Sequence, residues 1–342
     1  MENNPKRVLV IRLSAMGDVA IVVPVLYSIK RKYPEAELFM LSNMAFVPFF
    51  EKLESVTFIG IKTKDYKGLK GLYRLYKELK VYNFDLVADL HNVIRSKIIR
   101  MFFKLSGVKV TVINKGRKEK HAFTRQKNKK LLQLKTSAER YADVFRKSGF
   151  PVSLAFKSIY SKDYAVSDKV SSFLNNAAVA KIGIAPFAMY TGKIYPIERM
   201  EKIVAHFDKM NIAVFLFGGG DKEKNLLAQW NKKYTHCTSI VGQLSLREEL
   251  QLINRLDVML TMDSGNMHLA SLVNTPVVSV WGATHPFAGF YGWGQKMENV
   301  VQTDLYCRPC SVYGNKPCYR KDYACMEMIT PEMIIEKIKR YI

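Results

Sequence analysis

Asp263-Ser264-Gly265-Asn266-Met267-His268 gathers a carboxylate, a hydroxyl, a glycine and an imidazole into six residues. The loop follows the apolar run Val258–Thr261 and opens a segment of helical spacing, Gly265–Leu272. The backbone amides of Ser264 and Gly265 would then point outward at a helix N-terminus, a position that favours an anion such as a diphosphate. Asp263 would hold a ribose hydroxyl or orient those amides, with His268 one turn in on the same side. The competing description is a capped helix with a satisfied histidine. The clustering of four chemically useful side chains at a strand's carboxyl end favours a binding loop, because ligands of open parallel sheets sit there.

Two further loops occupy equivalent places. Ala185–Lys193 follows the strand-like Ile182–Ala185, and Thr191 and Lys193 are placed to meet a phosphate, with Gly192 allowing close approach. The run Gly218-Gly219-Gly220-Asp221 ends the next apolar segment and offers another wall of the same pocket. Near the N-terminus, Ser14-Ala15-Met16-Gly17-Asp18 follows the apolar Arg7–Leu13. Gly17 permits a tight turn or a ligand's approach, and Asp18 sets a carboxylate at the mouth of the sheet. Taken alone, that loop is equally well described by Asp18 capping a helix. Neither G-x-G-x-x-G nor G-x-x-x-x-G-K-[ST] is present, which argues against a dinucleotide dehydrogenase and a P-loop NTPase.

The elements that must position these loops alternate along the chain. Apolar runs at Arg7–Leu13, Ala36–Leu41, Val56–Ile61, Phe84–Leu90 and Val108–Ile113 read as strands, with helical patterns between them, as at Gly71–Tyr82 and Arg95–Ser106. After an aperiodic Pro151–Ser167 the pattern restarts. Strands are expected at Ala180–Pro186, Ile212–Phe217, Val258–Thr261 and Val277–Trp281. Helices are expected at Pro196–Met210, Asp221–Lys233, Leu246–Asn254, Gly265–Leu272 and, behind the Thr330 cap and Pro331, Pro331–Ile342. Strand–helix alternation predicts an α/β fold with two doubly wound parallel sheets. The expected division is 1–166, 167–330 and a terminal helix, 331–342.

The 342 residues carry 53 Lys and Arg against 30 Asp and Glu, a net charge of +23. With 48% hydrophobic residues the chain has ample core material, which excludes a disordered protein. No apolar run approaches the ~20 residues of a membrane span, and the N-terminus does not read as a signal peptide, so a cytoplasmic protein is expected. The charge points to anionic partners. Lys115–Lys147 holds twelve Lys or Arg against Glu119, Glu139 and Asp143. Arg125, Lys127, Lys129 and Lys130 are the expected anion-facing members. A purely nucleic-acid-binding or other non-enzymatic polyanion-binding protein is the distant alternative, but no RNP motif, zinc finger or helix-turn-helix signature is present.

These motifs together resemble glycosyltransferase family 9, the lipopolysaccharide heptosyltransferases. Val8–Val19 (V-L-V-I-R-L-S-A-M-G-D-V) is similar to that family's opening motif, and Lys193–Arg199 (K-I-Y-P-I-E-R) to its lysine motif, with Tyr195 where Trp is more usual. Asp263–Ala270 resembles its D-[ST]-G-x-x-H motif, and Pro276–Thr284 the strand that follows. The resemblance runs almost end to end. It implies a GT-B architecture, two Rossmann-like domains facing across a cleft, with the terminal helix returning to the first. It also implies metal-independent, inverting transfer of heptose from ADP-heptose to a phosphorylated lipopolysaccharide-core acceptor at the inner face of the cytoplasmic membrane. Asp18 would be the general base and Lys193 the cation facing the leaving diphosphate. Thr191, Gly218, Gly219, Asp263, Ser264, Gly265 and His268 would line the donor site. Gly17, Arg125, Lys127, Lys129 and Lys130 would lie on the acceptor side. Another GT-B enzyme with a different nucleotide sugar, whether a glycosyltransferase or a sugar-nucleotide epimerase, is the alternative.

Cys307, Cys310, Cys318 and Cys325 fall within nineteen residues. The spacing is compatible with a structural zinc on four thiolates, yet it lacks the paired C-x2-C of a zinc ribbon. Reduced, partly buried thiols are expected and no metal is assigned.

Overall fold

The computed structural model describes residues 6–175 and 180–342 and divides into two units. The first comprises the chain up to Lys115 together with Lys135–Ile159. The second comprises Gly116–Leu134 with Tyr160–Ile342.

In the first unit five strands form one parallel sheet: β1 (Arg7–Ile11), β2 (Glu37–Asn43), β3 (Val56–Ile61), β4 (Leu86–Asp89) and β5 (Lys109–Val112). Their spatial order is β3-β2-β1-β4-β5, so the chain winds outward from β1 in one direction and then reverses across β4. Strands covered on both faces must be apolar throughout, and Val8, Leu9, Val10 and Ile11 are all fully buried. The helix Gly68–Lys80 turns Leu72, Leu75, Tyr76 and Leu79 into that core at the i, i+3, i+4, i+7 positions. Ile99 and Phe103 do the same from Ile94–Leu105.

The second unit repeats the plan with six parallel strands: β6 (Lys181–Ala185), β7 (Ala213–Leu216), β8 (Cys237–Ser239), β9 (Val258–Met262), β10 (Val277–Val280) and β11 (Val300–Val301). The order is β11-β10-β9-β6-β7-β8, reversing between β6 and β9. Its core joins Ile182, Ile184, Met200, Phe207, Trp230 and Leu260. The helix Leu246–Asn254 starts with a capping box, Ser245 accepting from Glu248 N–H while Glu248 accepts from Ser245 N–H.

Two boundaries differ from the sequence expectation. Gly116–Leu134 belongs to the second unit, where Phe123 is fully buried beside Leu134, Phe287, Phe290 and Ala288. Leu134 N–H donates to Phe287 O at 2.9 Å, and the Lys120 ammonium sits 4.2 Å from the Phe290 ring centre. A single aromatic anchor inside a run of cations decides where the segment packs, because burying Phe outweighs exposed charge. The helix Pro331–Ile338 is likewise integral to the second unit. Ile334, Ile335 and Ile338 enter its core against the helix Ile197–Lys209.

Candidate active site

In a doubly wound sheet, the crevice for ligand opens where strand order reverses, beyond the carboxyl ends of the two strands concerned. In the second unit these are β6 and β9. The loop after β6 ends in a single turn, Thr191–Lys193, and the loop after β9 carries Asp263 into the helix Gly265–Leu272. The Lys193 ammonium and the Asp263 carboxylate meet at 2.9 Å across this reversal point. Asp263 is 5% exposed and its Oδ2 also accepts from the Thr284 hydroxyl at 2.8 Å. A buried carboxylate is costly unless it is paired and hydrogen-bonded, and Asp263 has both. Ser264 shares a 3.0 Å hydrogen bond with the Thr261 hydroxyl. Gly265 begins the helix, so the first amides of that turn are those a helix leaves unpaired internally. His268 is buried within the same turn.

The other expected donor residues take varied roles. Thr191 is exposed at the start of the Lys193 turn. Gly218 and Gly219 follow β7, and Gly219 N–H donates to Glu223 Oε2 at 2.7 Å. Tyr195 is not a site residue. It is fully buried, its hydroxyl donates to Ile329 O at 2.9 Å, and burial pushes its pKa up to about 12. Arg199, which pairs with Glu327 at 3.0 Å, belongs to the same brace between the lysine motif and the C-terminal segment.

Sequence reasoning missed the residues that hold Lys193 in place. The Arg308 guanidinium is buried and donates to the carbonyls of Gly282 (2.6 Å), Trp281 (3.0 Å), Thr284 (3.1 Å) and Thr303, and to Gln302 Oε1 (3.0 Å). Cys310 and Ser311 N–H donate to Ala283 O, and Ala283 N–H to Gly192 O at 2.9 Å. The cysteine-rich segment is therefore a clasp on the loops after β6 and β10. Gly314 completes it at φ +78°, where a Cβ would stand 2.4 Å from Lys193 Cγ and 2.6 Å from Cδ. Gly314→Ala should combine left-handed strain of ~1–2 kcal/mol with displacement of the lysine. The expected result is a lower melting temperature and weaker diphosphate binding together, measured by thermal unfolding with and without ADP.

Among the described residues, no disulfide joins the cysteines. Cys307, Cys310, Cys318 and Cys325 line one small cavity of about 10 Å³, with Arg308, Tyr319 and Asp322. Burial raises the Cys310 thiol and pushes Cys325 up to about 11, so both are protonated at neutral pH. Among the described residues, no three His, Cys, Asp or Glu side chains are grouped as a metal ion would require.

In the first unit the order reverses between β1 and β4. Asp18 follows β1 in the short helix Met16–Ala20, and its Oδ2 is bonded to the Arg12 guanidinium. Arg12 is 7% exposed and also donates to Leu90 O at 2.9 Å, which anchors the pair to the end of β4. Gly17 O accepts from Ile21 N–H, so this glycine serves the helix turn. Arg12 was absent from the sequence reading because, inside an apolar run, it resembles an interruption of the strand.

His91, two residues beyond β4, accepts at Nδ1 from Leu13 N–H (3.3 Å). Burial, then Arg12, Lys115 and Arg95, lower its pKa from 6.5 to about 3. As pH falls from 6.5 towards 3, the unfolded chain takes up a proton that the native protein refuses. Stability present above pH 6.5 is therefore lost through this window, by up to ~1.4 kcal/mol per pH unit. His285, which burial and Arg308 lower to about 4, adds to the same slope. Denaturant midpoints followed through the window should fall less steeply for His91→Gln than for the unmodified protein.

The expected acceptor-side cations are dispersed. Arg125 Nε donates to Asn128 O at 2.5 Å, and Lys129 donates to Cys307 O at 2.7 Å. Lys127 and Lys130 are exposed. All four lie in the second unit, on the segment anchored by Phe123.

Two parallel, doubly wound sheets, each with a cation–carboxylate pair at its reversal point, define an α/β protein of two similar units. Residues 72–319 match the family described as Glycosyltransferase family 9 (heptosyltransferase), and the chain belongs to that family. A lipooligosaccharide heptosyltransferase 2 of Campylobacter jejuni is 23% identical over 330 residues, covering 95% of this chain and 96% of the relative. Among solved structures, a family 9 glycosyl transferase from Veillonella parvula superposes with a TM-score of 0.76 at 16% identity, covering 100% of this chain and 98% of that one. The ADP-heptose lps heptosyltransferase II of E. coli superposes with a TM-score of 0.70 at 18% identity and 98% coverage of both. The fold is of the GT-B type, and the protein is a glycosyltransferase.

Proposed function

We propose that the protein transfers a heptose, with inversion and without a metal ion, from ADP-heptose to a lipopolysaccharide-core acceptor. The carrying observation is the Lys193–Asp263–Thr284 network at the reversal point of the second sheet. In this reading the acceptor oxygen attacks the anomeric carbon as its proton passes to the Asp18 carboxylate. The bond between that carbon and the diphosphate breaks, and ADP leaves. The negative charge growing on the diphosphate is met by the Lys193 ammonium and by the first amides of the helix Gly265–Leu272. Fixed donors aimed at developing charge are usually the largest catalytic contribution, and Lys193 supplies a cation where no metal is invoked. Asp263 orients Lys193, and Thr191, Gly218, Gly219, Ser264 and His268 complete the donor pocket. Arg12 fixes the Asp18 carboxylate through Oδ2.

The test is a binding panel. ADP should raise the melting temperature more than GDP or UDP, and Lys193→Ala should remove most of that rise. Equal effects of all three nucleotides would favour another nucleotide sugar.

The basic segment suits an anionic lipid surface on the cytoplasmic side. Exposed Lys127 and Lys130 precede exposed Leu131 and Leu132 in the chain, and each Lys near such a surface contributes ~1 kcal/mol, screened by salt. Lys127→Glu with Lys130→Glu should abolish low-salt co-sedimentation with anionic vesicles, leaving Lys129 to hold Cys307. Unchanged sedimentation of that variant would assign the segment another role.

A further inference from the structure

Asp89 ends β4 and is completely buried, and nothing in the proposed transfer uses it. A buried carboxylate is tolerated only where it is paired and hydrogen-bonded, and both of its oxygens are occupied. Oδ2 accepts from the Arg100 guanidinium at 2.6 Å, and Oδ1 accepts from the His91 and Asn92 amides at 2.9 and 2.8 Å. Arg100 stands in the middle of the helix Ile94–Leu105. The turn that leaves β4 is therefore tied to the helix that follows it.

Asn92 strengthens the tie. Its φ is +48°, a left-handed conformation that asparagine adopts more readily than most residues. Its Oδ1 accepts from the same Arg100 nitrogen at 3.3 Å, and its Nδ2 donates to Ile113 O at 3.4 Å. Ile113 N–H donates in turn to Asp89 O at 3.0 Å, so the end of β5 holds the turn from its other side.

The same turn fixes the segment that leads to Asp18. Leu90 N–H donates to Ile11 O at 3.1 Å, Leu90 O accepts from Arg12 Nη1 at 2.9 Å, and His91 Nδ1 accepts from Leu13 N–H at 3.3 Å. Three consecutive residues at the end of β1 thus take their setting from the two residues that follow Asp89. One of the three, Arg12, is bonded to the Asp18 carboxylate. Printed hydrogen bonds run without a gap from Arg100 through Asp89 and the turn to Arg12 and Asp18.

We propose that Asp89 and Arg100 are positioning residues: the pair sets the turn that holds Arg12 and His91, and thereby aims the Asp18 carboxylate. That the aimed group is the base rests on the proposed transfer, whereas the dependence of the turn on the pair does not. A misplacement of about 1 Å at a reacting group costs up to ~10²-fold in rate, so a residue that touches no substrate can govern turnover.

The experiment uses the full chain. Transfer from ADP-heptose is followed by mass spectrometry, ADP affinity by calorimetry and the His91 ring by NMR. Arg100→Met should lower kcat by about 10-fold and shift the His91 signals. ADP affinity should be unchanged, because Lys193 and Asp263 belong to the second unit. Arg100→Lys keeps a cation for Asp89 and should recover most of the turnover. Asp89→Asn combined with Arg100→Met leaves no stranded charge, should show the same loss, and replaces the single variant if that does not fold. Leu75→Ala, which hollows the same core from the helix Gly68–Lys80, should lower the melting temperature with kcat held within about twofold. The deciding comparison is a double-mutant cycle with Asp18→Asn. Arg100→Met should cost little more in that background, since the group it aims is already disabled. An equal loss in both backgrounds, full turnover by Arg100→Met or the paired variant, or unshifted His91 signals overturns the positioning role. Normal turnover by Asp18→Asn would instead overturn the base reading, and a His91 shift in Arg100→Met would leave the pair's hold on the turn standing.

Discussion

Lys193→Ala is expected to lower turnover by ~10²–10³, equivalent to ~3–4 kcal/mol of transition-state stabilisation, while weakening ADP binding. The size follows from position. The ammonium is largely buried, braced by Gly314 and paired at 2.9 Å with Asp263 at the reversal point of the sheet. A cation fixed in that way needs no reorganisation as charge grows on the diphosphate. The variant also strands a buried carboxylate, so some loss of stability should accompany it, although the Thr284 hydroxyl still donates to Asp263. Lys193→Arg keeps the charge but not the fit beside Gly314, and should recover binding better than rate. Steady-state kinetics with ADP affinity measured separately would check this. Unchanged rate and affinity in Lys193→Ala would make the lysine a purely structural partner of Asp263.

Asp18→Asn should reduce turnover by ~10²–10⁴ with donor affinity nearly intact. The amide keeps the shape of the carboxylate but cannot take a proton. It also removes the charge that Arg12 faces, leaving a guanidinium that is 7% exposed without its counter-ion. Loss of stability is therefore expected as well, and the Arg12→Lys variant separates the two effects. It preserves a cation beside Asp18 and should retain more activity than Asp18→Asn does. Wild-type turnover by Asp18→Asn would remove the base assignment.

Much of this arrangement is legible in the sequence, for a physical reason. Strands buried on both faces must be continuous apolar runs, so β1, β3, β6, β9 and β10 stand out within a residue or two of their observed ends. The loops that follow β1, β6 and β9 hold Gly17-Asp18, Thr191–Lys193 and Asp263–Gly265, and loops at that end of a parallel sheet are where a sequence can be searched for ligand chemistry. The strands β8 and β11 have three and two residues, Cys237–Ser239 and Val300–Val301, too short for any period to show. The segment Gly116–Leu134 misled because charge is conspicuous in a sequence and a single buried Phe123 is not. Arg308 and Gly314 were hidden for a related reason. Their partners are backbone carbonyls and a neighbouring lysine, contacts that leave no pattern along the chain. The cysteines around them drew attention instead, and their cavity is part of the clasp that holds Lys193. Tyr195 illustrates the reverse case, since a motif position turned out to be core.

The most direct test of the account is a transfer assay with ADP-heptose and a heptose-free lipopolysaccharide core, with the product weighed by mass spectrometry and its anomeric configuration read by NMR, in the presence of a chelator. One added heptose, inverted at the anomeric carbon, is expected, with ADP released in equal amount. Retained configuration, dependence on a metal, or transfer from a GDP- or UDP-sugar in preference to ADP-heptose would contradict it.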